Sequence, residues 1–255
     1  MEVPYIMIKY SKHELIKRGF FHENYCEDYL FSALVSDEII ISAVMDGCSM
    51  GIESYFASTL IGKLLKKISK EIGYLLYLNQ LPNDIDILSK YIFKQLFNQL
   101  KNIQGQLFLD KYELLSTLVF KIINVKERTA KAIVIGDGLV VCNGITYDFD
   151  QNNQPDYLGY HLEKDFENWF ETIEQELFLE NIFDISISTD GIYTFKPFNQ
   201  LAESCYSENY FIERLLIEQP MDLEKGAFQR QLLEIEEEEY LKPSDDLAFI
   251  RLIFN

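Results

Sequence analysis

Residues 114–149 read LLSTLVFKIINVKERTAKAIVIGDGLVVCNGITYDF. Four apolar runs, Leu114–Val125, Thr129–Ile135, Leu139–Cys142 and Ile145–Phe149, follow one another with only turn residues between them. Asn143-Gly144 is a type I′ hairpin signal, since both residue types tolerate positive φ. Strands joined by turns rather than helices predict an antiparallel meander.

Before this stretch, Ile52, Phe56, Leu60, Ile61, Leu64, Leu65, Ile68 and Ile72 recur at helical spacing, with Lys63, Lys66, Lys67 and Lys70 between them as a solvated face. Gly73 is placed to stop that helix, and a second amphipathic helix is predicted from about Asp84 to Leu100. Further upstream, Tyr29–Val35 and Glu38–Met45 form a predicted hairpin through Ser36-Asp37, and Val3–Lys9 reads as a first strand. Downstream, Phe166, Trp169, Phe170, Ile173 and Leu177 mark a third helix whose stripe is expected in the core. The strand Ile182–Thr189 follows, then helical material over about Glu208–Leu241 and a final strand, Leu247–Phe254. The acidic run Glu236–Glu239 within that block reads as an exposed turn. Strands in hairpins and helices in blocks argue for an α+β fold of antiparallel sheets faced by helices, in one domain spanning 1–255.

The chain carries 41 Asp and Glu against 23 Lys and Arg, a net charge of −18. Such a surface repels phosphate backbones and anionic lipid, which argues against nucleic acid and membranes as partners but not against metal cations. Cys26, Cys48, Cys142 and Cys205 lie far apart with no CxxC pair, so they build no zinc knuckle and fit a reducing compartment. The start has no basic head leading into a long apolar stretch, and no apolar run approaches the length of a membrane span. The expected location is the cytoplasm.

The aspartates fall where strands end. Asp28 precedes Tyr29–Val35, Asp46 ends Ile39–Met45, and Asp137 ends Ala132–Gly136. Asp190 ends Ile182–Thr189, and Asp245-Asp246 precede the last strand. Antiparallel pairing can bring the end of one strand and the start of its neighbour to the same edge. Any one Asp-Gly is an ordinary turn, whereas five acids on one rim would repel each other unless a cation sat among them. All-oxygen donors favour Mg²⁺ or Mn²⁺ over zinc.

The ordered series Cys26-Glu27-Asp28, Val44-Met45-Asp46-Gly47, Leu115-Ser116-Thr117-Leu118-Val119, Ile135-Gly136-Asp137-Gly138, Ser188-Thr189-Asp190-Gly191 and Ser244-Asp245-Asp246 resembles the PP2C-type (PPM) metal-dependent protein phosphatases. Nearly the whole chain is covered. With Gly19-Phe20-Phe21-His22 ahead of the first acids, it is similar to a divergent bacterial branch of that family. The resemblance implies a four-layer α-β-β-α sandwich: two stacked antiparallel sheets, flanked by helical pairs, with a metal centre at one edge. Asp46 would bridge two ions, with the Gly47 carbonyl on the second, and Asp190 and Asp245 would complete the shell of the first. Glu27 and Asp28 would hold metal-bound waters, and Asp137 would serve an optional third ion. The implied activity is hydrolysis of phosphoserine or phosphothreonine in a phosphorylated protein substrate, by attack of a metal-bridging water. Residues of about 144–180 correspond to the family's variable flap, and a monomer is expected.

The sequence departs from the family at two places. Many members carry a phosphate-gripping arginine where Glu23 stands here, and a histidine after the DG where Cys48-Ser49-Met50-Gly51 follows. His22 or Arg18 is available to grip phosphate, and His22 is a candidate acid as readily as a polar loop residue. Cys48 reads as a small buried filler. His13 and His161 receive no role. These gaps motivate one rival reading, a pseudophosphatase that binds without turnover, and a second rival is hydrolysis of a small phosphorylated metabolite.

Overall fold

The computed structural model describes residues 9–48, 51, 53–150, 155–198, 206–220 and 223–254. Its strands are β1 (Tyr10–Lys17), β2 (Tyr29–Leu34), β3 (Ile39–Met45), β4 (Leu118–Asn124), β5 (Thr129–Ile135), β6 (Gly138–Cys142), β7 (Ile145–Phe149), β8 (Glu176–Leu179), β9 (Asp184–Ser188), β10 (Phe195–Pro197), β11 (Leu241–Pro243) and β12 (Leu247–Phe254). Its helices are α1 (Ser54–Tyr77), α2 (Ile85–Leu107), α3 (Phe166–Phe170), α4 (Glu208–Ile212) and α5 (Ala227–Glu234). One antiparallel sheet has the order β2-β3-β4-β5-β8 and the other β1-β12-β9-β6-β7, with β10-β11 as a small third ribbon. Among the described residues no helix is long and apolar enough to cross a membrane.

Side-chain alternation builds three cores. In β3, Ile39, Ile41, Ala43 and Met45 face α1 and α2, packing against Ile61, Leu65, Ile68, Ile92 and Phe93. Ile40 and Val44 point the other way, into an inter-sheet core with Val119, Val140, Ile185, Ile187, Ile250 and Leu252. Leu247 and Phe249 of β12 face Phe211, Leu215, Phe228 and Leu232 of the C-terminal helical segments. Two core faces per strand explain why β3, β4, β9 and β12 are buried at every position. The result is the expected helix–sheet–sheet–helix sandwich.

Two charges inside it escaped the sequence reading. Lys121 sits in phase with Val119 and Ile123 and is therefore buried between the sheets, where its Nζ donates to the carbonyls of Ile185 (3.0 Å) and Ile250 (2.9 Å). Burial lowers its pKa to about 7. Arg251, in phase with Leu247 and Phe249, is fully buried on the opposite face of its sheet. Its guanidinium donates to both oxygens of Asp184 and to the carbonyls of Leu215, Ile217 and Glu218, which satisfies the end of the helical segment packed above it.

Several boundaries differ from expectation. Residues 3–8 of the predicted first strand lie outside the described residues; the first strand among the described residues is β1, Tyr10–Lys17. The first helix runs through Gly73 to Tyr77. A Cβ at Gly73 would lie 2.9 Å from the Val35 carbonyl oxygen, so the glycine lets the helix lie against the β2–β3 turn rather than ending it. The second helix continues to Leu107, with Asp84 as its N-cap. The meander divides: β4 and β5 belong to one sheet, β6 and β7 to the other, and Asp137 lies on the crossing. The third helix ends at Phe170, and Leu177 pairs with Ala132 as part of β8. The C-terminal helical block breaks after the π turn Glu213–Ile217 and resumes at α5, with Pro220 and the positive-φ Gly226 (88°) in the interruption. Glu236 is buried rather than exposed, with Lys17 Nζ at 2.5 Å and Lys242 Nζ at 3.6 Å.

Candidate metal centre

Pairing of Tyr29 with Met45 places Asp28, just before β2, beside Asp46, just after β3. In the other sheet Ser188 pairs with Phe249, which sets Thr189-Asp190 next to Ser244-Asp245-Asp246. The two edges are tied directly, for Thr189 Oγ1 donates to Asp28 Oδ2 at 2.7 Å. Asp137, on the β5–β6 crossing, is close enough to raise the pKa of Asp190. The five strand-end sites therefore share one rim, as the antiparallel argument requires.

The backbone around each acid is fixed by hydroxyls and close glycine packing. Thr117 Oγ1 accepts from Asp46 N at 3.0 Å, and Thr117 N donates to Asp46 O at 2.9 Å. Ser54 Oγ donates to Glu27 Oε1, and Ser58 Oγ donates to the Glu27 carbonyl. Thr194 Oγ1 accepts from Asp245 N at 3.1 Å. Gly47 and Gly191 have no positive φ. Their role is close approach: an added Cβ would stand 2.0 Å from Ser54 O at Gly47 and 1.8 Å from Asp246 O at Gly191. Of these hydroxyls only Thr117 lies in a motif quoted from the sequence, Leu115–Val119, and nothing in spacing assigns its bond.

Electrostatically the rim is self-repelling. Burial, then the charges of Asp28, Asp190 and Asp245, pushes the Asp46 carboxyl well above the ordinary range. Asp28 is raised chiefly by burial, with the Thr189 hydroxyl and a hydrogen bond shared with Asp46 opposing and the charges of Asp246 and Asp190 adding to it. Asp190 is pushed up to about 6, by burial first and then by Asp245 and Asp137.

The adjacent pair Asp245-Asp246 divides its labour. The Asp245 side chain remains 45% exposed at the rim. Asp246 is buried and braces the preceding loop, accepting from Gly19 N at 2.6 Å and from Glu27 N. His22 bridges them, with Nδ1 2.9 Å from Asp246 Oδ2 and Nε2 3.4 Å from Asp245 Oδ1. Burial alone would lower the imidazole pKa, but Asp246, Asp245 and Glu27 outweigh it and raise it. His22 thus belongs to the rim. Arg18 does not reach it and instead donates to the Glu23 carbonyl at 2.9 Å on the exposed side of the same loop. Cys48 is buried against Leu115 and Tyr157, as a filler should be. His161 stands 2.7 Å from Asp156 and stacks on Trp169, which itself stacks on Phe97 of α2, so the 155–180 part of the flap-like region is anchored on the helical layer.

Does the donor set suit a hard cation? Asp28 Oδ1 is a buried carboxylate oxygen with no N–H or hydroxyl donor, lying among acids whose charges oppose one another. Every side-chain donor named on the rim except His22 is an oxygen, which fits Mg²⁺ or Mn²⁺. Among the described residues no three Asp, Glu, His or Cys side chains already close around one point.

No curated protein sequence matches the chain. Solved structures do. The phosphatase domain of SpoIIE from Bacillus subtilis, with a fragment of its regulatory domain, is 14% identical at a TM-score of 0.61, over 97% of this chain and 64% of that one. This chain thus spans less than two thirds of that protein chain. RsbX in complex with magnesium is 14% identical over 96% of both chains, at a TM-score of 0.53. PppA, a regulatory component of T6SS in Pseudomonas aeruginosa, is 15% identical over 97% of this chain and 99% of that one, at 0.59. At such identities the likeness is one of fold. The family profile described as protein phosphatase 2C, however, matches residues 22–234, which take in the acids at both sheet edges up to Asp190. On that match and the shared sandwich, the chain belongs to the protein phosphatase 2C family.

Proposed function

We propose that this protein is a Mn²⁺- or Mg²⁺-dependent phosphatase acting on phosphoserine or phosphothreonine in proteins. The observation that carries the reading is the convergence of Asp28, Asp46, Asp190 and Asp245 from two sheets on one rim, where burial and mutual repulsion raise the first three. Asp46, Asp190, Asp245 and the Gly47 carbonyl would hold two cations. Glu27 and Asp28 would orient water beside them, and Asp137 would serve a third ion. Bound there, divalent cations acidify water and neutralise phosphate charge.

The chain's own groups supply the rest. Thr189 fixes the orientation of Asp28 through its 2.7 Å bond to Oδ2, leaving Oδ1 buried among the acids. Asp246 holds the Glu27 and Gly19 amides, so the loop bearing His22 is set against the rim. His22 Nε2, at 3.4 Å from Asp245, is the group placed to deliver a proton to a departing serine or threonine oxygen. No cysteine or serine nucleophile is required. The test is phosphate release from a phosphothreonine peptide by the wild type, Asp46→Asn and Asp190→Asn. Loss of release in both variants supports the reading, and retained release in either overturns it. Substrate peptides outpaced by small phosphorylated metabolites would move the substrate class.

A further inference from the structure

The loop that sets His22 on the rim also carries two exposed phenylalanines. Phe20 N donates to the Pro243 carbonyl and Phe21 N to the Ser244 carbonyl, both at 3.1 Å, so their backbone lies directly against the residues leading into Asp245. The two rings meet at 4.5 Å, and Phe21 remains 63% exposed. Across from them, Lys196 of β10 pairs with Lys242 of β11. Lys196 Nζ stands over the Phe21 ring at 5.2 Å, and Lys242 Nζ over the Phe198 ring at 4.3 Å. Among the described residues Lys196 has no carboxylate partner. Glu236 is shared between Lys242 and the closer Lys17, leaving the group cationic. On a chain of net charge −18, this gives the candidate centre a cationic and aromatic flank.

Resting on the phosphatase reading, we propose that the surface of Phe20, Phe21, Lys196, Phe198 and Lys242 receives an acidic segment of the substrate protein next to its phosphorylated residue. The rings supply apolar contact area and hold the lysines by cation–π attraction, and the ammonium groups supply charge complementarity. An acidic segment held there lies directly beside the rim.

The test uses fluorescence anisotropy of labelled phosphothreonine peptides that differ only in glutamate or serine flanks, with the full chain. At low salt the glutamate-flanked peptide should bind at least about fivefold tighter, and the preference should fade as salt is added. The double variant Lys196→Glu/Lys242→Glu should erase the preference, and Phe21→Ala should weaken it. A circular dichroism spectrum and melting temperature matching the wild type establish that these variants fold. Equal binding of the two peptides overturns the proposal. So does a charge reversal that weakens both peptides equally, since the lysines would then grip the phosphoryl group itself. A preference without phosphate release would count against the phosphatase reading and leave the docking surface standing. Release without a preference would do the converse.

Discussion

Replacing Asp190 by asparagine should make the metal-free protein more stable. The Asp190 carboxyl is displaced from 3.8 to about 6 by burial and by Asp245 and Asp137. At about 1.4 kcal/mol per unit, that displacement corresponds to a cost of about 3 kcal/mol. Since the folded pKa is raised, the cost is absent below the unfolded pKa, grows as pH rises between the two values, and is complete above about 6. Asparagine keeps the shape and removes the charge, but its NH₂ cannot accept a backbone hydrogen bond where the second carboxylate oxygen can, an offset of about 1 kcal/mol. The expected net gain in EDTA is therefore about 2 kcal/mol at about pH 7.5, shrinking as pH falls toward about 4. Urea unfolding at the two pH values reads it. Added Mn²⁺ should reverse the order, because binding at a hundredfold excess over Kd contributes about 2.7 kcal/mol to the wild type alone. An Asp190→Asn protein no more stable than wild type in EDTA near neutrality would refute the reasoning.

Lys121→Met should stabilise the protein at neutral pH, since Lys121 is fully buried and its pKa falls from 10.5 to about 7. Its cost is complete below about 7 and relieved as pH rises, so the variant's advantage should decline by about 1.4 kcal/mol per pH unit between about 7 and 10 in denaturant titrations. Parallel curves would contradict this. Thr189→Val removes the hydroxyl donor to Asp28 Oδ2, leaving the buried carboxyl with only the neighbouring Asp46 carboxyl to bond. A loss of about 1–3 kcal/mol by urea unfolding is expected, together with weaker Mn²⁺ binding by calorimetry.

What the sequence made legible was whatever depends on local pattern. The strands Thr129–Ile135, Ile145–Phe149 and Leu247–Phe254 match their apolar runs, and the acids stand at the strand ends read for them. Period and turn chemistry suffice for such features. Assignment of β4 and β6 to different sheets was not legible, because a hairpin turn and a crossing to another layer both read as Gly-Asp-Gly. Gly73 misled for a related reason: its meaning lies in the Val35 carbonyl 38 residues away in sequence, not in its own helix. Lys121 and Arg251 look like surface charges until the alternation of a doubly buried strand is known. At the rim, spacing names Asp245 and Asp246 together and only the family resemblance singles out Asp245; the fold gives the physical difference, one carboxylate turned inward to Gly19 and Glu27 and the other left at the surface. His22 reached the rim through that same inward brace.

On the reading proposed above, the acid rim becomes a hydrolytic site when divalent cations occupy it. The most direct measurement is phosphate release from a phosphothreonine peptide by EDTA-stripped protein as Mn²⁺ is titrated back, with Asp46→Asn alongside. No release is expected without metal, with saturable recovery on Mn²⁺ in the wild type and none in the variant. Release that persists in EDTA, or that Asp46→Asn recovers equally, would contradict it.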